Sequence, residues 1–485
     1  MAGRGNVLFI VCDQLRADVL SGGLAACVPT PNLDRLMAQS TVYEQHFANA
    51  VPCGPSRASL LTGLYAFNHR VIRNGTPLGA HHASLGPLLR AQGIEPLLFG
   101  YTDIAPDPGT RPAADPDLGS YEGVAPGFRE LVEMRFEHGL EWLAHLRARG
   151  YPLPAPERRW DVYRPVGDAI TSPALYRAED SDTAYLTDRT LQALEVRRHA
   201  PWFAHVAYIR PHPPLVAPAP WNALVDPATI PPPCVVERRH PFHDAWSSRR
   251  HAAGLFWGFD GRSEGLSPRQ VAELRAVYLG LVAELDHHIG RLLDWLDATG
   301  QSDRTLVVLT ADHGEMLGDQ GMWDKESVFA AAHRVPLVVR DPQHSGGRVR
   351  RITESVDIAP TLLRWLDAPV PRAMDGRALQ FEPDARSPEC ALTEIDLARP
   401  DRPSRFQAAW GLEAARCNAA VLRDPHWTLV HFNGGVPPML FDRRADPQET
   451  RNLAAEPGAD VEIMRLMGML LDLRMTRADR RLTGD

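Results

Sequence analysis

The sequence has almost no lysine. Lys325 is the single lysine among 52 basic residues, and the other 51 are arginines. Most surface positions accept either cation, so the imbalance indicates a coding bias toward arginine. A lysine that persists against this bias is expected where a compact ammonium on a flexible stem is required, with chance retention as the alternative.

Paired cysteines and long apolar runs are also missing. The six cysteines are scattered along 485 residues without paired spacing, which favours free thiols in a reducing compartment. The apolar run Val7–Cys12 is too short for the hydrophobic region of a signal peptide, and no other segment is long and apolar enough to cross a bilayer. We therefore expect a cytoplasmic protein without a membrane partner.

The sequence has no excess of positive charge. Its 60 acidic residues outnumber the 52 basic ones and give a net charge of −8. Nucleic acids and anionic membranes attract basic proteins, so neither is expected as a partner. Hydrophobic residues make up 44% of the chain and charged residues 23%, which is typical of a globular protein with a packed core.

Short apolar runs alternate with helical patterns through most of the chain. Val7–Cys12, Phe203–Ile209 and Leu306–Leu309 have the pattern of strands that are buried on both faces. Residues 268–299 show helical periodicity after a capping box that begins at Ser267. The alternation predicts an α/β fold with a large mixed, mostly parallel sheet flanked by helices on both faces.

Two regions depart from this alternation. Residues 106–260 are rich in Pro, Trp and Arg, and we interpret them as an irregular wall or lid of an active site, with surface decoration as the alternative. Beyond residue 375, shorter alternating segments and a closing helix predict a smaller antiparallel sheet with one helix. We expect a catalytic domain at residues 1–375 and a smaller C-terminal subdomain at residues 376–485.

Acidic and imidazole side chains follow two of the predicted strands. Asp13 ends the first strand, and Asp312 and His313 end the strand Leu306–Leu309 after a short spacer. Open α/β sheets place their ligands at the carboxyl ends of the strands. Single aspartates at strand ends are usually turn residues. Two such ends, taken together with the cysteine motif that begins at Cys53, favour a divalent metal site, with Mn²⁺ or Ca²⁺ as the ion.

The run Cys53-Gly54-Pro55-Ser56-Arg57 is the most informative motif of the chain. Its plain interpretation is a buried cysteine at a helix start, with Pro55 in the first turn. Cysteine, proline two residues later, then serine and arginine also resembles the signature of type I sulfatases. Together with Asp13 and Asp312-His313-Gly314, it gives the chain a resemblance to the sulfatase branch of the alkaline phosphatase superfamily over nearly its full length.

Within that branch the chain is most similar to the phosphonate monoester hydrolases. The resemblance implies cleavage of phosphonate monoesters and phosphodiesters, with promiscuous hydrolysis of sulfate esters. It also implies that a formylglycine-generating enzyme oxidises Cys53 to formylglycine, whose hydrated aldehyde acts as the nucleophile. Relatives of this type are often oligomers, so we expect a homo-oligomer, a tetramer or a dimer, with the C-terminal segment as the contact.

The resemblance further implies roles for individual residues, carried over by position. The implied metal ligands are Asp13, the modified Cys53, Asp312 and His313. The implied catalytic residues are Cys53, Arg57, which would hold the diol, and His212 with Lys325, which would lie beside the leaving group. The residues implied to line the substrate oxyanion are Asn74, Tyr101 and Thr102. The single lysine thus falls on a catalytic position.

Departures from the family pattern bear on the substrate. The first strand ends in one carboxylate where many sulfatases have two, and the segment Gly100–Asp103 lacks the lysine and histidine that face the sulfate there. A less positive pocket favours a singly charged, diester-like anion, because a dianion needs more neutralisation. Asp103 is left out of the predicted site, because relatives place a hydroxyl residue at that position.

Three other functions remain open from the sequence. The nearest is a sulfatase acting on a small organic ester, of the aryl- or choline-sulfatase type. The second is a metal phosphodiesterase in which Cys53 stays unmodified, which leaves the Pro-Ser-Arg context unexplained. The third is a non-catalytic, metal-stabilised binding protein. In the first two the partner is a small anionic ester.

Overall fold

A computed structural model describes residues 5–136, 139–249, 254–380 and 389–479. The thirteen strands of these residues are β1 Asn6–Cys12, β2 Thr41–Phe47, β3 Ala50–Val51, β4 Pro96–Gly100, β5 Arg129–Glu133, β6 Phe203–Tyr208, β7 Thr305–Ala311, β8 Leu337–Arg340, β9 Gly347–Glu354, β10 Ala391–Asp396, β11 Asn418–Arg423, β12 Trp427–Phe432 and β13 Met439–Asp442. Their α-helices are α1 Asp18–Ser21, α2 Pro31–Ala38, α3 Cys53–Thr62, α4 Ala66–His69, α5 Leu85–Ala91, α6 Leu140–Ala148, α7 Asp182–Glu195, α8 Pro241–Ser247, α9 Pro268–Ala298, α10 Ala330–His333, α11 Ile358–Trp365, α12 Arg405–Trp410 and α13 Ala459–Thr476.

Eight strands form the large sheet, in the order β5-β4-β6-β1-β7-β8-β2-β9. Neighbouring strands are parallel except at β8, which runs antiparallel to both β7 and β2. The predicted mixed, mostly parallel sheet is therefore confirmed. In the centre of the sheet, Cys12 of β1 pairs in register with Ala311 of β7, so the two strands end at the same level.

Both faces of the large sheet are covered. Alternate residues of β1 belong to two separate hydrophobic cores, as expected for a strand buried on both sides. One core contains Leu8, Ile10 and Cys12 and includes α9; the other contains Val7, Phe9 and Val11 and includes α3 and α11. Within the described residues, none of the helices combines the length and apolarity that crossing a lipid bilayer would require.

Helix α9 begins and ends where the sequence predicts. The Ser267 hydroxyl accepts from the backbone N–H of Gln270, and the Gln270 side chain accepts from the backbone N–H of Ser267. This reciprocal capping satisfies two donors at the helix start. Gly300 follows the helix with φ of +65°, a conformation that glycine adopts without strain.

Five strands form the small sheet, in the order β13-β12-β11-β10-β3. Its neighbours are antiparallel except for the parallel pair β10 and β3. Helix α13 packs on this sheet through Leu466 and Leu470, which meet Leu422, Leu429 and Leu440 in a third core. The predicted C-terminal sheet and helix are confirmed, but the sheet also takes β3 from the residues before 375. The division of the chain at residue 375 stays a prediction.

Residues 106–260 contain more regular structure than their composition indicates. Strands β5 and β6 and helices α6, α7 and α8 lie in this range. The sequence gives little sign of β5, because it is a polar edge strand that pairs only with β4 and buries one residue, Val132. The remaining connections of this range are irregular, and one of them carries His212.

Candidate active site

The ends of β1 and β7 place two aspartates side by side. Asp13 directly follows β1 and Asp312 directly follows β7, and the in-register pairing of these strands sets both at one edge of the sheet. Both carboxylates are buried. Helix α3 begins at Cys53, directly after β3 and Pro52, and the Cys53 side chain is only 4% exposed. Two strands and one helix thus converge on a single buried point.

The four predicted metal ligands lie together at this point. Ligand atoms of Asp13, Cys53, Asp312 and His313 are all within 4.8 Å of one another. His313 Nε2 is 3.2 Å from Cys53 Sγ and 3.7 Å from Asp312 Oδ2. Asp13 Oδ1 is buried and has no hydrogen-bond partner among the described residues, an acceptor that a cation would satisfy. This donor set fits a divalent cation.

Arg57 links the two aspartates. It lies one helical turn after Cys53 in α3, and its Nε donates to Asp312 Oδ2 at 2.9 Å. Its Nη2 donates to Asp13 Oδ2 at 3.1 Å, and its guanidinium lies 4.1 Å from the centre of the Tyr101 ring. The guanidinium therefore neutralises part of the negative charge that two buried carboxylates create.

The three residues predicted to line the substrate have different surroundings. The Tyr101 hydroxyl donates to Asp13 Oδ2, and Asn74 Oδ1 accepts from the Gly54 backbone N–H at 2.9 Å. Tyr101 and Asn74 therefore border the site. The Thr102 hydroxyl instead donates to the Gly123 carbonyl at 2.7 Å and accepts from a backbone N–H of the same loop. No contact of the described residues supports its predicted role at the substrate.

Lys325 lies at the site and is 7% exposed. Its Nζ donates to Gln14 Oε1 at 2.9 Å and is 3.7 Å from Asp324 Oδ1. Burial acts to lower the pKa of this ammonium, but the neighbouring acidic groups, Cys53 first and then Asp324 and Asp13, hold it well above its ordinary value. Lys325 therefore carries a fixed positive charge and a proton.

His212 is neutral in this environment. Its Nδ1 is 2.5 Å from the Pro213 carbonyl oxygen, which can only accept, so Nδ1 carries the ring proton. Burial, followed by the charge of Lys325, lowers the pKa of His212 to about 4. Its Nε2 is thus left as a hydrogen-bond acceptor, and its ring packs against Phe136 with 5.2 Å between ring centres.

Several residues at the site escaped the sequence analysis. The Gln14 side chain connects Lys325 to Glu315, donating to Glu315 Oε2 while it accepts from Lys325. Asp103 is buried 3.8 Å from Arg57 at a φ of +52°, and burial raises its pKa to about 7. The sequence could have indicated Gln14 and Glu315 only by their positions, one residue after Asp13 and two residues after His313.

The unmodified Cys53 is not a thiolate. Burial, followed by the charge of Asp13, raises the pKa of its thiol well above the ordinary value. A buried thiol held in its neutral form is a weak nucleophile and a weak metal ligand. Before it could attack an ester, the thiol would have to lose its proton to a bound cation or be converted to another functional group.

This fold and this buried site define an ester hydrolase of the alkaline phosphatase superfamily. A family model described as Sulfatase matches residues 5–368. The chain belongs to the sulfatase family. Membership implies a divalent metal ion and a formylglycine made from a cysteine, and the cluster around Cys53 is consistent with both.

Several relatives are similar over nearly the whole chain. The multifunctional alkaline phosphatase superfamily protein PehA of Trinickia caryophylli is 37% identical, covering 99% of this chain and 97% of its own. A solved phosphonate monoester hydrolase from Silicibacter pomeroyi is 43% identical with a TM-score of 0.93. Another from Agrobacterium radiobacter is 37% identical with a TM-score of 0.92, and both alignments cover 99% of this chain and 97% of the other.

Proposed function

We propose that the protein is a metal-dependent hydrolase that cleaves phosphonate monoesters and phosphodiesters and also hydrolyses sulfate esters. The observation that carries the proposal is the convergence of Cys53, two strand-end aspartates, His313 and a buried lysine on one site. The similarity to two phosphonate monoester hydrolases, which are 37–43% identical over almost the full length, supports it. The nucleophile is a formylglycine made from Cys53 by a formylglycine-generating enzyme.

One divalent ion would be held by Asp13, Asp312, His313 and the modified residue 53. Two carboxylates and an oxygen suit Ca²⁺ or Mn²⁺, and the imidazole favours Mn²⁺. When bound, the ion and the hydrated aldehyde together supply a hydroxyl of lowered pKa as the attacking group. Arg57 keeps the two carboxylates in place through its contacts with both of them.

Lys325 and His212 act on the leaving oxygen. Lys325 holds a proton at neutral pH and gives the departing oxygen either that proton or a charge contact. His212 is neutral with its proton on Nδ1, so its Nε2 accepts a hydrogen bond and orients the ammonium or the newly formed hydroxyl. The two residues therefore divide donor and acceptor roles between them.

Asn74, Tyr101 and Thr102 are proposed to face the substrate oxyanion. Tyr101 and Asn74 have the stronger support, because each touches a residue of the catalytic cluster. Arg57 and Lys325 are offset here by Asp13 and Asp312, so the side chains by themselves add little positive charge to that of the ion for neutralising a dianion. This balance favours singly charged esters of the phosphonate monoester or phosphodiester type.

Rates on three substrates of similar size test the proposal. We expect higher kcat/KM on an aryl phosphonate monoester and a phosphodiester than on the matching sulfate monoester. The opposite order would identify a sulfatase for small organic sulfate esters instead. A peptide mass spectrum across Cys53 should show the aldehyde, and Cys53→Ala should remove nearly all turnover. Full activity of protein with an unmodified thiol would contradict the nucleophile assignment, and inertness on all three substrates would indicate a binding protein.

We further propose a cytoplasmic homo-oligomer, a dimer or a tetramer. All six cysteines are free, which suits a reducing compartment. Helix α13 carries an exposed apolar stripe of Val461, Met464, Leu471 and Met475, which are 59–72% exposed. With Gly468 between them, these residues follow the three- and four-residue spacing of a helix-pairing seam. A second copy of α13 is the proposed occupant of this stripe.

A further inference from the structure

We infer that Arg210 is the positioning residue of the active site, because it fixes the backbone and the ring of His212 beside the leaving group. The inference rests on the leaving-group role proposed for His212 and Lys325. Arg210 itself is 1% exposed and lies within residues 106–260, and among the described residues none of its hydrogen bonds or ion pairs is to the cluster around Cys53.

The first contact is with the backbone of the loop that carries His212. Arg210 Nη1 donates to the His212 carbonyl at 3.1 Å and to the Pro214 carbonyl at 3.0 Å. Pro211, Pro213 and Pro214 have no backbone N–H, so this loop cannot be held by the ladder of bonds that secures a strand. Arg210 Nη1 instead bonds two carbonyls of the loop.

Arg210 is in turn held from three sides. Its Nε is 3.1 Å from Asp182 Oδ2, and its Nη2 donates to the Tyr176 hydroxyl at 3.2 Å. Its guanidinium lies 4.8 Å from the centre of the Tyr163 ring. The guanidinium pairs with a charge, donates a hydrogen bond and stacks on a ring at the same time. These three contacts together fix its orientation.

The second route to His212 runs through aromatic rings. Tyr163, on which Arg210 stacks, packs against Phe136 with 5.9 Å between ring centres. Phe136 packs against the His212 ring at 5.2 Å. The four side chains therefore close a circuit, in which Arg210 holds the His212 carbonyl and, through two rings, also supports its imidazole. A displaced Arg210 would remove both of these supports and leave His212 with its backbone N–H bond to the Ile209 carbonyl and its Nδ1 contact with the Pro213 carbonyl.

Lysine cannot replace arginine in this role, although the two carry the same charge. An ammonium can pair with Asp182, but it has no planar fork to reach two carbonyls while it stacks on Tyr163. The coding bias toward arginine therefore does not account for Arg210. Arg210→Lys keeps the buried charge paired with Asp182 but gives up the planar fork that holds the two carbonyls and the tyrosines, which makes it the informative variant.

The experiment compares two esters of one phosphonate, an ethyl ester and a 4-nitrophenyl ester. Assistance to the leaving oxygen matters most for a poor leaving group, so loss of His212 positioning should affect the ethyl ester selectively. We expect Arg210→Lys to lower kcat/KM for the ethyl ester about 10²-fold, because displacing a catalytic group by about 1 Å has an effect of that size. For the nitrophenyl ester we expect a loss of about 3-fold. On the ethyl ester, the double variant with His212→Ala should be no slower than His212→Ala alone.

Asp180→Asn is the matched control. Asp180 is also buried within residues 106–260 and accepts from Tyr151, His145 and Arg149, without a contact to Arg210 or His212. Its replacement should lower the Tm and leave the ratio of the two kcat/KM values unchanged. Phe136→Leu, which keeps every buried charge, should shift the ratio in the same direction as Arg210→Lys and covers the case in which the arginine variant misfolds.

Each outcome separates the inference from the function on which it rests. If His212→Ala leaves the ratio of the two esters unchanged, the leaving-group role of His212 is wrong and the positioning role of Arg210 falls with it. If His212→Ala shifts the ratio but Arg210→Lys and Phe136→Leu slow both esters equally, only the positioning inference is wrong. Additive losses in the double variant would also overturn it.

Discussion

Charged side chains in the site are paired across the ends of separate elements. Arg57 of α3 contacts the aspartates that follow β1 and β7. Lys325 donates a hydrogen bond to Gln14, the residue after Asp13 at the end of β1. Removing one member of such a buried pair leaves the other without compensation, so single substitutions here are expected to be costly. The most informative substitutions are therefore those that keep shape or charge.

Asp312→Asn tests the metal site while it preserves shape. The substitution removes one of two formal negative charges from the ligand set, so affinity for a divalent ion should fall by more than the roughly 10–100-fold that loss of an outer-shell partner costs. Titration of chelator-treated protein with Mn²⁺ and Ca²⁺, followed by calorimetry and by recovery of activity, measures the effect. Undiminished activity of the wild type after exhaustive chelation would refute the metal assignment.

Lys325→Arg tests whether the single lysine is required. The guanidinium is wider than the ammonium and directs its donors differently, so it should crowd the space beside Gln14 and miss the leaving oxygen. Loss of a contact made mainly in the transition state costs about 10²–10³ in kcat, and we expect a loss of that order on a phosphodiester with little change in Tm. A near-normal kcat/KM would make Lys325 an accident of coding bias and leave the leaving group to His212 alone.

The sequence predicted residues of the site unequally well. Asp13, Cys53, Asp312 and His313 were found because motif and strand-end position agree, and the structure brings their ligand atoms together. Asp103 was left out because a hydroxyl residue was expected, and its burial and positive φ cannot be read from the sequence. Side chains that act through another residue leave no motif of their own.

At the scale of elements, helix α9 places the buried acid Glu284 next to Asp182 of α7. Burial, followed by the charge of Asp182, raises the pKa of Glu284 to about 8. A carboxyl whose pKa is higher folded than unfolded stabilises the protein below its ordinary pKa of about 4.3, and that stabilisation is lost as the pH rises toward 8. Glu284 therefore lowers the free energy of unfolding as the pH rises through neutrality.

Glu284→Gln should remove that part of the decline. We expect the Tm of the variant to lie close to the wild type at pH 5 and above it at pH 8.5, because the amide stays neutral throughout. Differential scanning calorimetry at several pH values measures the two slopes. The exposed substitution Glu413→Gln is the control and should leave the slope unchanged, and equal slopes for Glu284→Gln and wild type would show that the carboxyl is not protonated in the fold.

The elements that the sequence predicted best are those with the simplest burial. Strands β1 and β7 are buried on both faces and appear as continuous apolar runs, and α9 has a capping box and an unbroken period. Strands β2 and β9 lie at one edge of the large sheet, and their polar residues interrupt the apolar pattern. The antiparallel direction of β8 depends on how the chain connects β7 to β8, and the hydrophobic pattern of a strand does not indicate its direction.

At the scale of the whole molecule, the exposed stripe of α13 bears on the oligomeric state. Met464 and Leu471 are 72% and 59% exposed and lie at the centre of the stripe. Replacing both with glutamate should dissociate an assembly that pairs through this helix, because like charges would then meet in the seam. Light scattering coupled to size exclusion gives the mass of each species.

Val196→Glu is the control for surface charge. Val196 is 78% exposed at the end of α7 and lies outside the stripe, so its replacement should leave the measured mass unchanged. An unchanged mass for the double α13 variant, with a wild-type protein larger than one chain, would place the contact elsewhere on the molecule.

The strand that precedes Cys53 has a partner from far along the chain. Val51 of β3 pairs with Ile395 of β10, 344 residues later. A ribosome adds about 5–20 residues per second, so about 17–70 s pass between the synthesis of the two strands. Throughout that interval the small sheet is incomplete, and a cysteine that ends up buried is still within reach of a modifying enzyme. A modifying enzyme would therefore have to act on Cys53 before β10 arrives, and slower translation should increase the fraction of Cys53 that is converted.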